Sequence, residues 1–235
     1  MGRSSTLNRA VVPQLRRALL AEFIGSLLLA CVVIGSGILA ERLAAGNAAV
    51  ALLGNTLATV AALGVLIVLF GPFSGAQFNP AVSLALSLRG EQRWRVSFAY
   101  VLAQLAAMVL GAWLAHAMFG LPIVQWSHKL RGSGGEMLGE CVATFWLLLT
   151  ILGTARVRAA LLPFTVPAAI AAGYWFTSST SFANPAITVA RAMTDSFSGI
   201  RPEDVPGFML AQVAGTLVAC AVAASLFPSD SSRRR

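Results

Sequence analysis

Charge is what this sequence has least of. Only 11% of its 235 residues are Asp, Glu, Lys or Arg, where a soluble domain carries about 25%. That shortage, with 57% hydrophobic residues and a mean hydropathy of +0.76, excludes an ordinary water-soluble domain. Six membrane spans of about 20 residues use roughly 120 positions, which leaves too little chain for a separate extramembrane domain. Cysteine is also scarce. Cys31, Cys141 and Cys220 all lie in apolar runs without CxxC spacing, so they read as small apolar residues and not as a disulfide or metal framework. His116 and His128 lack partner spacing for a metal or an activated nucleophile. The expectation is a protein that is not an enzyme and holds no cofactor or metal.

What is present is apolar chain in long runs, at about 18–40, 47–70, 95–119, 136–155, 159–176 and 206–227. Each is long enough to cross a bilayer, the fifth being the shortest. Two further stretches, 78–89 and 182–194, are about a dozen residues long, the length of a re-entrant segment. The first run follows Arg3, Arg9, Arg16 and Arg17 but is too long for a signal-peptide core, and it reads as an uncleaved helix. The net charge of +8 does not form one patch, so nucleic acid is not an expected partner. Instead the basic residues flank the spans. With both termini in the cytoplasm, Arg3, Arg9, Arg16, Arg17, Arg89, Arg93, Arg95, Arg156, Arg158, Arg233, Arg234 and Arg235 lie inside, against Arg42, Lys129, Arg131, Arg191 and Arg201 outside. This 12-to-5 split sets the orientation. The reading is an integral protein of the inner (plasma) membrane, multi-pass, with a short cytoplasmic segment at 1–17 and a cytoplasmic tail at 228–235.

The two halves repeat. AEFIGSLLLA (21–30) matches GECVATFWLL (139–148), QFNPAVSLAL (77–86) matches FANPAITVAR (182–191), and AQLAAMVLGAWLA (103–115) matches AQVAGTLVACAVA (211–223). A repeat of three spans must be inverted the second time, because an odd number of crossings reverses direction, and inverted repeats place a solute pathway at their interface. In the third pair every fourth residue is small: Ala103, Ala107, Gly111 and Ala115, then Ala211, Gly215, Ala219 and Ala223. Such ridges let backbones approach closely where lipid supplies no hydrophobic force between helices.

Each short stretch opens on Asn-Pro-Ala: Asn79, Pro80 and Ala81, then Asn184, Pro185 and Ala186. Asn is a favoured N-cap, Pro suits the first helical position, and Ala permits two ends to meet. A helix starting within the bilayer brings unpaired N–H groups and about half a positive charge near mid-membrane. Two such ends facing each other make a polar constriction that donates hydrogen bonds and repels cations. The segments before the boxes, Phe73 to Phe78 and Thr177 to Ala183, then descend as irregular backbone whose carbonyls line the path. Glu22 and Glu140, the acids of the first repeated motif, are read from the residues alone as possible proton-relay groups. The competing function is accordingly a secondary active transporter, which inverted repeats also build.

SGAQFNPAVSL (74–84) and AEFIGS resemble the aquaporin, or major intrinsic protein, family, with the resemblance running from about residue 18 to 227. It implies an all-α integral membrane fold: an aquaporin-like inverted repeat of six transmembrane helices plus two re-entrant half-helices, in a channel domain at 18–227. Repeat 1 covers about 18–119 and repeat 2 about 136–227. It also implies one pore per subunit, a homotetramer in membrane lipid, and passage of water and small neutral solutes. For Glu22 and Glu140 it implies structural support of the re-entrant loops. Counting without gaps from the boxes, the family's filter positions fall on Thr59, Ala172, Ser181 and Ile187; a two-residue gap replaces Ala172 by Tyr174. Most of the family has Arg at the position of Ile187, so a wide, less polar filter is expected. Arg191, one helical turn on, is either a vestibule residue or a solvated charge. Trp175, Phe176 and Phe182 read as packing or interface residues. The segment 177–208 resembles the bacterial aquaglyceroporins encoded in arsenic-resistance operons, which implies arsenous acid and related arsenicals as solutes beside glycerol. Thr188 stands where glycerol facilitators have an acid, which weighs against ordinary glycerol conduction.

Overall fold

The computed structural model describes residues 4–227, with side chains described from residue 14 onward. The tail at 228–235, with Arg233 to Arg235, lies outside the described residues, as do Arg3 and the side chain of Arg9. Eight helices follow in order: α1 (Ser4–Leu43), α2 (Ala48–Ser74), α3 (Pro80–Leu88), α4 (Trp94–Met118), α5 (Gly134–Arg158), α6 (Leu162–Phe176), α7 (Pro185–Ala192) and α8 (Val205–Leu226). Single 3-10 turns at Ala159–Leu161 and Pro202–Asp204 precede α6 and α8, and no strand occurs among the described residues. The backbone of α1 continues upstream of the run at 18–40. Arg16 and Arg17 end the apolar pattern there, whereas helical hydrogen bonding does not depend on hydropathy.

Four of the crossings are Gln14–Leu43, Ala48–Ser74, Trp94–Met118 and Pro202–Leu226, each long and apolar enough to span. A fifth such stretch, Gly134–Phe176, is 43 residues long and folds as the α5–α6 hairpin, in which Trp146 Nε1 donates to the Ala169 carbonyl at 3.1 Å. That gives six crossings. The 15 residues of α6 rise about 22 Å at 1.5 Å each, so it is the shortest of them. α3 and α7, of 9 and 8 residues, reach less than halfway across a core of about 30 Å.

Local signals start these helices. Asn47 caps α2, its side chain accepting from Ala49 N (3.1 Å) and Val50 N (3.2 Å). Ser133 and Glu136 close a reciprocal capping box at the start of α5.

Packing repeats with an internal two-fold pattern. α1 packs on α2 and α4 as α5 packs on α6 and α8; α3 packs on α4 and α8 as α7 packs on α8 and α4; α2 meets α6, and α3 meets α7. Exchanging the first four helices for the last four therefore returns the same set of neighbours. The small-residue ridges explain the tightest pairs. A Cβ on Gly111 would strike the backbone of α1 at Leu27 and come within 2.9 Å of the Ala30 side chain. A Cβ on Gly215 would strike the Cys141 carbonyl of α5 and approach Thr144 to 3.1 Å. Ala107, Ala115, Ala219 and Ala223 are fully buried along the same ridges. Outward faces stay apolar, as at Leu53, Leu57, Val65 and Val68 of α2, because there the solvent is lipid.

Candidate functional site

The two half-helices begin head to head. Asn79 and Asn184 both have extended backbone, with φ −156°, and each caps its own helix: Asn79 Oδ1 accepts from Ala81 N at 2.8 Å. Asn184 Oδ1 accepts from Ala186 N at 3.0 Å and Ile187 N at 3.3 Å. Pro80 and Pro185 occupy the first helical positions, where no N–H is needed. The Asn amides then cross over. Asn79 Nδ2 donates to the Ala183 carbonyl and Asn184 Nδ2 to the Phe78 carbonyl, both at 2.8 Å. An amide has two N–H groups, so one of each remains to face the cavity that both residues line.

The loops leading to these ends are held in backbone conformations that L-residues rarely adopt. Ala76 and Phe78 have φ of 48° and 49°, and Thr180, Ser181 and Ala183 have 60°, 51° and 47°; each costs about 1–2 kcal/mol. Buried carboxylates offset that cost. Glu22 accepts from Ser74 Oγ (2.7 Å), Gln77 N (2.9 Å), Phe78 N (2.8 Å) and Gln104 Nε2 (2.8 Å). Glu140 accepts from Phe182 N (2.7 Å), Ala183 N (2.9 Å) and Gln212 Nε2 (2.6 Å). The two-fold extends to the next layer: Gln104 Nε2 reaches Ser83 Oγ at 3.3 Å, and Gln212 Nε2 reaches Thr188 Oγ1 at 2.9 Å. Thr188 is fully buried in this network and its hydroxyl donates to the Asn184 carbonyl at 2.8 Å.

A cavity of about 110 Å³ runs past both boxes. Its lining is apolar at Leu29, Leu63, Ile67, Leu147, Ile151 and Val166, and the loop residues Gly75 to Asn79 with Ser181, Phe182 and Asn184 contribute polar groups. Thr59, Ser181 and Ile187 line it. Thr59 Oγ1 is buried and has no hydrogen-bond partner, so a solute in the lumen is its available partner.

Ala172 does not line the cavity; Tyr174 does. Ala172 is exposed on the outer face of α6 while Tyr174 is buried. The ungapped count fails for a geometric reason, since two residues turn a helix by about 200°, to the opposite face. Nor is Arg191 a solvated charge. It is 2% exposed, lines the cavity, donates through Nε to the Ser198 carbonyl, and lies with Cζ 3.3 Å from the Phe182 ring centroid. Phe182 lines the cavity as well as packing edge-on against Phe208 at 5.1 Å. Trp175 and Phe176 are exposed on the outer face.

Sequence reasoning missed Arg131. It is 6% exposed, with its Cζ 5.0 Å from the same Phe182 ring, and it donates from Nε to the Gly199 carbonyl (2.8 Å) and from Nη1 to the Ser179 carbonyl (3.1 Å). Its only sequence signal was an Arg in a loop of a charge-poor chain. Lys129 stands beside it, Nζ on the Phe197 carbonyl at 2.6 Å. Burial, with Arg131 and Arg191 close by, pushes the Lys129 ammonium down to about 8, Glu41 offsetting part of the effect. Among the described residues no cluster of His, Cys, Asp or Glu is arranged to hold a metal.

Comparison with known proteins agrees with this geometry. The family model described as Major intrinsic protein matches residues 9–179. An aquaglyceroporin, AqpS, from Rhizobium meliloti (strain 1021) is 49% identical over 208 residues, covering 88% of this chain and 89% of its own. The lens fiber major intrinsic protein of Gallus gallus is 32% identical over 143 residues, 59% of this chain and 53% of its own. Among solved structures, the X-ray structure of the aquaglyceroporin from Plasmodium falciparum superposes with a TM-score of 0.65 at 20% identity, over 89% of this chain and 95% of that one; it shares the fold. The chain belongs to the major intrinsic protein family.

Proposed function

We propose that the protein is a passive channel for water and small neutral solutes, with glycerol and arsenous acid as the candidate solutes. The observation that carries this is the cavity past the two helix N-termini, lined both by apolar side chains and by Asn79, Asn184 and loop residues before them. A hydroxylated neutral solute can satisfy the free amide hydrogens while its carbon face slides along Leu63, Ile67 and Val166. A cation meets two positively polarised helix ends.

In this reading Asn79, Pro80, Ala81, Asn184, Pro185 and Ala186 form the constriction. Thr59, Tyr174, Ser181 and Ile187 form the filter, with Ile187 leaving it wider than an Arg there. Arg191 belongs to the outer vestibule. Glu22 and Glu140 hold the loops. Their acceptor capacity is spent on backbone N–H groups and on Gln104, Gln212 and Ser74, which weighs against a proton-coupled transporter. The name of the bacterial relative, an aquaglyceroporin, supports the polyol-sized solute class. We further infer a plasma-membrane location with cytoplasmic termini, from the basic residues flanking the spans, and a homotetramer.

The test is light scattering of proteoliposomes after an inward jump of glycerol or arsenous acid. Shrinkage faster than protein-free vesicles reports water, and accelerated reswelling reports the solute. Fast shrinkage without reswelling for either solute overturns the wide-filter reading; neither phase overturns the channel.

A further inference from the structure

Among the described residues, Arg131 and Arg191 are the buried cations, and no carboxylate bonds either guanidinium. The neighbouring acids are used elsewhere. Asp204 accepts from the Arg131 backbone N–H (2.9 Å) and from Arg201 Nη2 (2.8 Å). Asp195 accepts from the His128 backbone N–H at 3.1 Å. Glu41 accepts from Phe197 N at 3.0 Å, Glu136 closes the α5 cap with Ser133, and Glu140 holds the second loop.

Arg191 commits only Nε, to the Ser198 carbonyl. Among the hydrogen bonds of the described residues its two terminal nitrogens have no acceptor, so four N–H groups at the lumen wall are free. Arg131 leaves Nη2 uncommitted in the same way, beside its bonds to Gly199, Ser179 and, at 3.4 Å, Thr180 Oγ1. Lys129 adds a third positive group, and the Phe182 ring faces both guanidiniums. Ring contact compensates a cation only partly, and a buried charge without a counter-charge is costly. A planar guanidinium fork is the best match in proteins for two oxygens of one anion.

We propose that this outer mouth is an anion-capture subsite, in which Arg191 and Arg131 take one small, singly charged carboxylate or oxyanion. Charge and size follow from the site. Its free donors belong to the Arg191 fork at the lumen wall and the Arg131 fork against the same Phe182 ring, and the lumen holds only about 110 Å³. Beside Arg191 the lining includes Ile187, Ile170 and Val166, apolar side chains that offer an anion no hydrogen bond. The anion is an occupant of the mouth that competes with neutral solutes entering it, a binding property the channel reading does not require.

The probe is methanesulfonate, with neutral dimethyl sulfone as control and ionic strength fixed by sodium chloride, whose anion is neither a carboxylate nor an oxyanion. In proteoliposomes, tens of millimolar methanesulfonate should slow water flux at least twofold while dimethyl sulfone does not. In detergent, it should raise the thermal unfolding midpoint of the wild type. Arg191→Gln and Arg131→Gln should each remove that midpoint rise, and Arg191→Lys should keep part of it. A midpoint unmoved by methanesulfonate in the wild type overturns the subsite, as does a rise of equal size in both Gln variants. If water flux is absent but the anion-specific rise is present, the subsite stands and the channel reading falls.

Discussion

Replacing Glu140 by Gln isolates what the buried carboxylate does for the second loop. As a carboxylate, Glu140 is acceptor-only and takes bonds from Phe182 N, Ala183 N and Gln212 Nε2, with the Ser179 hydroxyl bonded to it as well. In the Gln variant one oxygen can keep Phe182, but the amide nitrogen now points two hydrogens at donors. Gln212 has a remedy, because its own Oε1 is buried without a partner and a flip would turn it into an acceptor. The Ala183 N–H has none. One orphaned buried donor costs about 1–3 kcal/mol, and at roughly 2–4 °C per kcal/mol for a chain of this size the midpoint should fall by about 2–12 °C. The loss lands on a residue already at φ 47°, whose carbonyl accepts Asn79, so water permeability should fall with stability. Thermal unfolding in detergent and stopped-flow water flux, read together, make the assay. A Glu140→Gln protein with an unchanged midpoint and unchanged flux would refute the loop-holding argument. An unchanged midpoint with loss of pH-dependent uptake would instead make Glu140 a proton carrier.

Other expectations follow from the same geometry. Ile187→Arg should slow glycerol or arsenous acid entry more than water entry, because it narrows the filter and sets a second cation about 6 Å from Arg191, a repulsion of about 3 kcal/mol at an effective dielectric of about 20; equal slowing of both, at equal protein level, contradicts the wide-filter reading. Asn184→Asp removes the donor to Phe78 and puts an acid at the polarised constriction, so potassium leak into vesicles should rise. Tyr174→Ala should alter the ratio of solute to water flux, whereas Ala172→Phe, on the outer face of α6, should leave it unchanged. Methanesulfonate block should weaken as the pH passes from 7 to 9. Lys129 sits at about 8, below the ordinary value of 10.5, so the folded protein loses that cation early while the arginines keep theirs; a half-block concentration constant over this range removes Lys129 from the mouth.

The architecture was legible because polar letters stand out in apolar strings. Glu22 and Glu140, Gln104 and Gln212, and the two Asn-Pro-Ala triplets mark corresponding places in the repeat, and span lengths give the crossings. The cavity was legible only in part. Counting can place Thr59 and Ser181, but a helix rotates 100° per residue, so a two-residue error turned Ala172 to the outer face and hid Tyr174. Arg131 was invisible because its loop has no periodicity to say which way a side chain turns. The Asn amides that cross to Ala183 and Phe78 end on backbone carbonyls, and the sequence holds no letter for a carbonyl's direction.

Those crossed amides also bear on how the molecule is made. The bonds join residues 104 and 106 positions apart, so during synthesis the first box waits, its amide unmet, until about half of the second repeat has emerged. Neither half can complete its own constriction. A chain interrupted midway therefore leaves a bundle without a finished conduit in the membrane, and the cell is spared a leak from every unfinished copy.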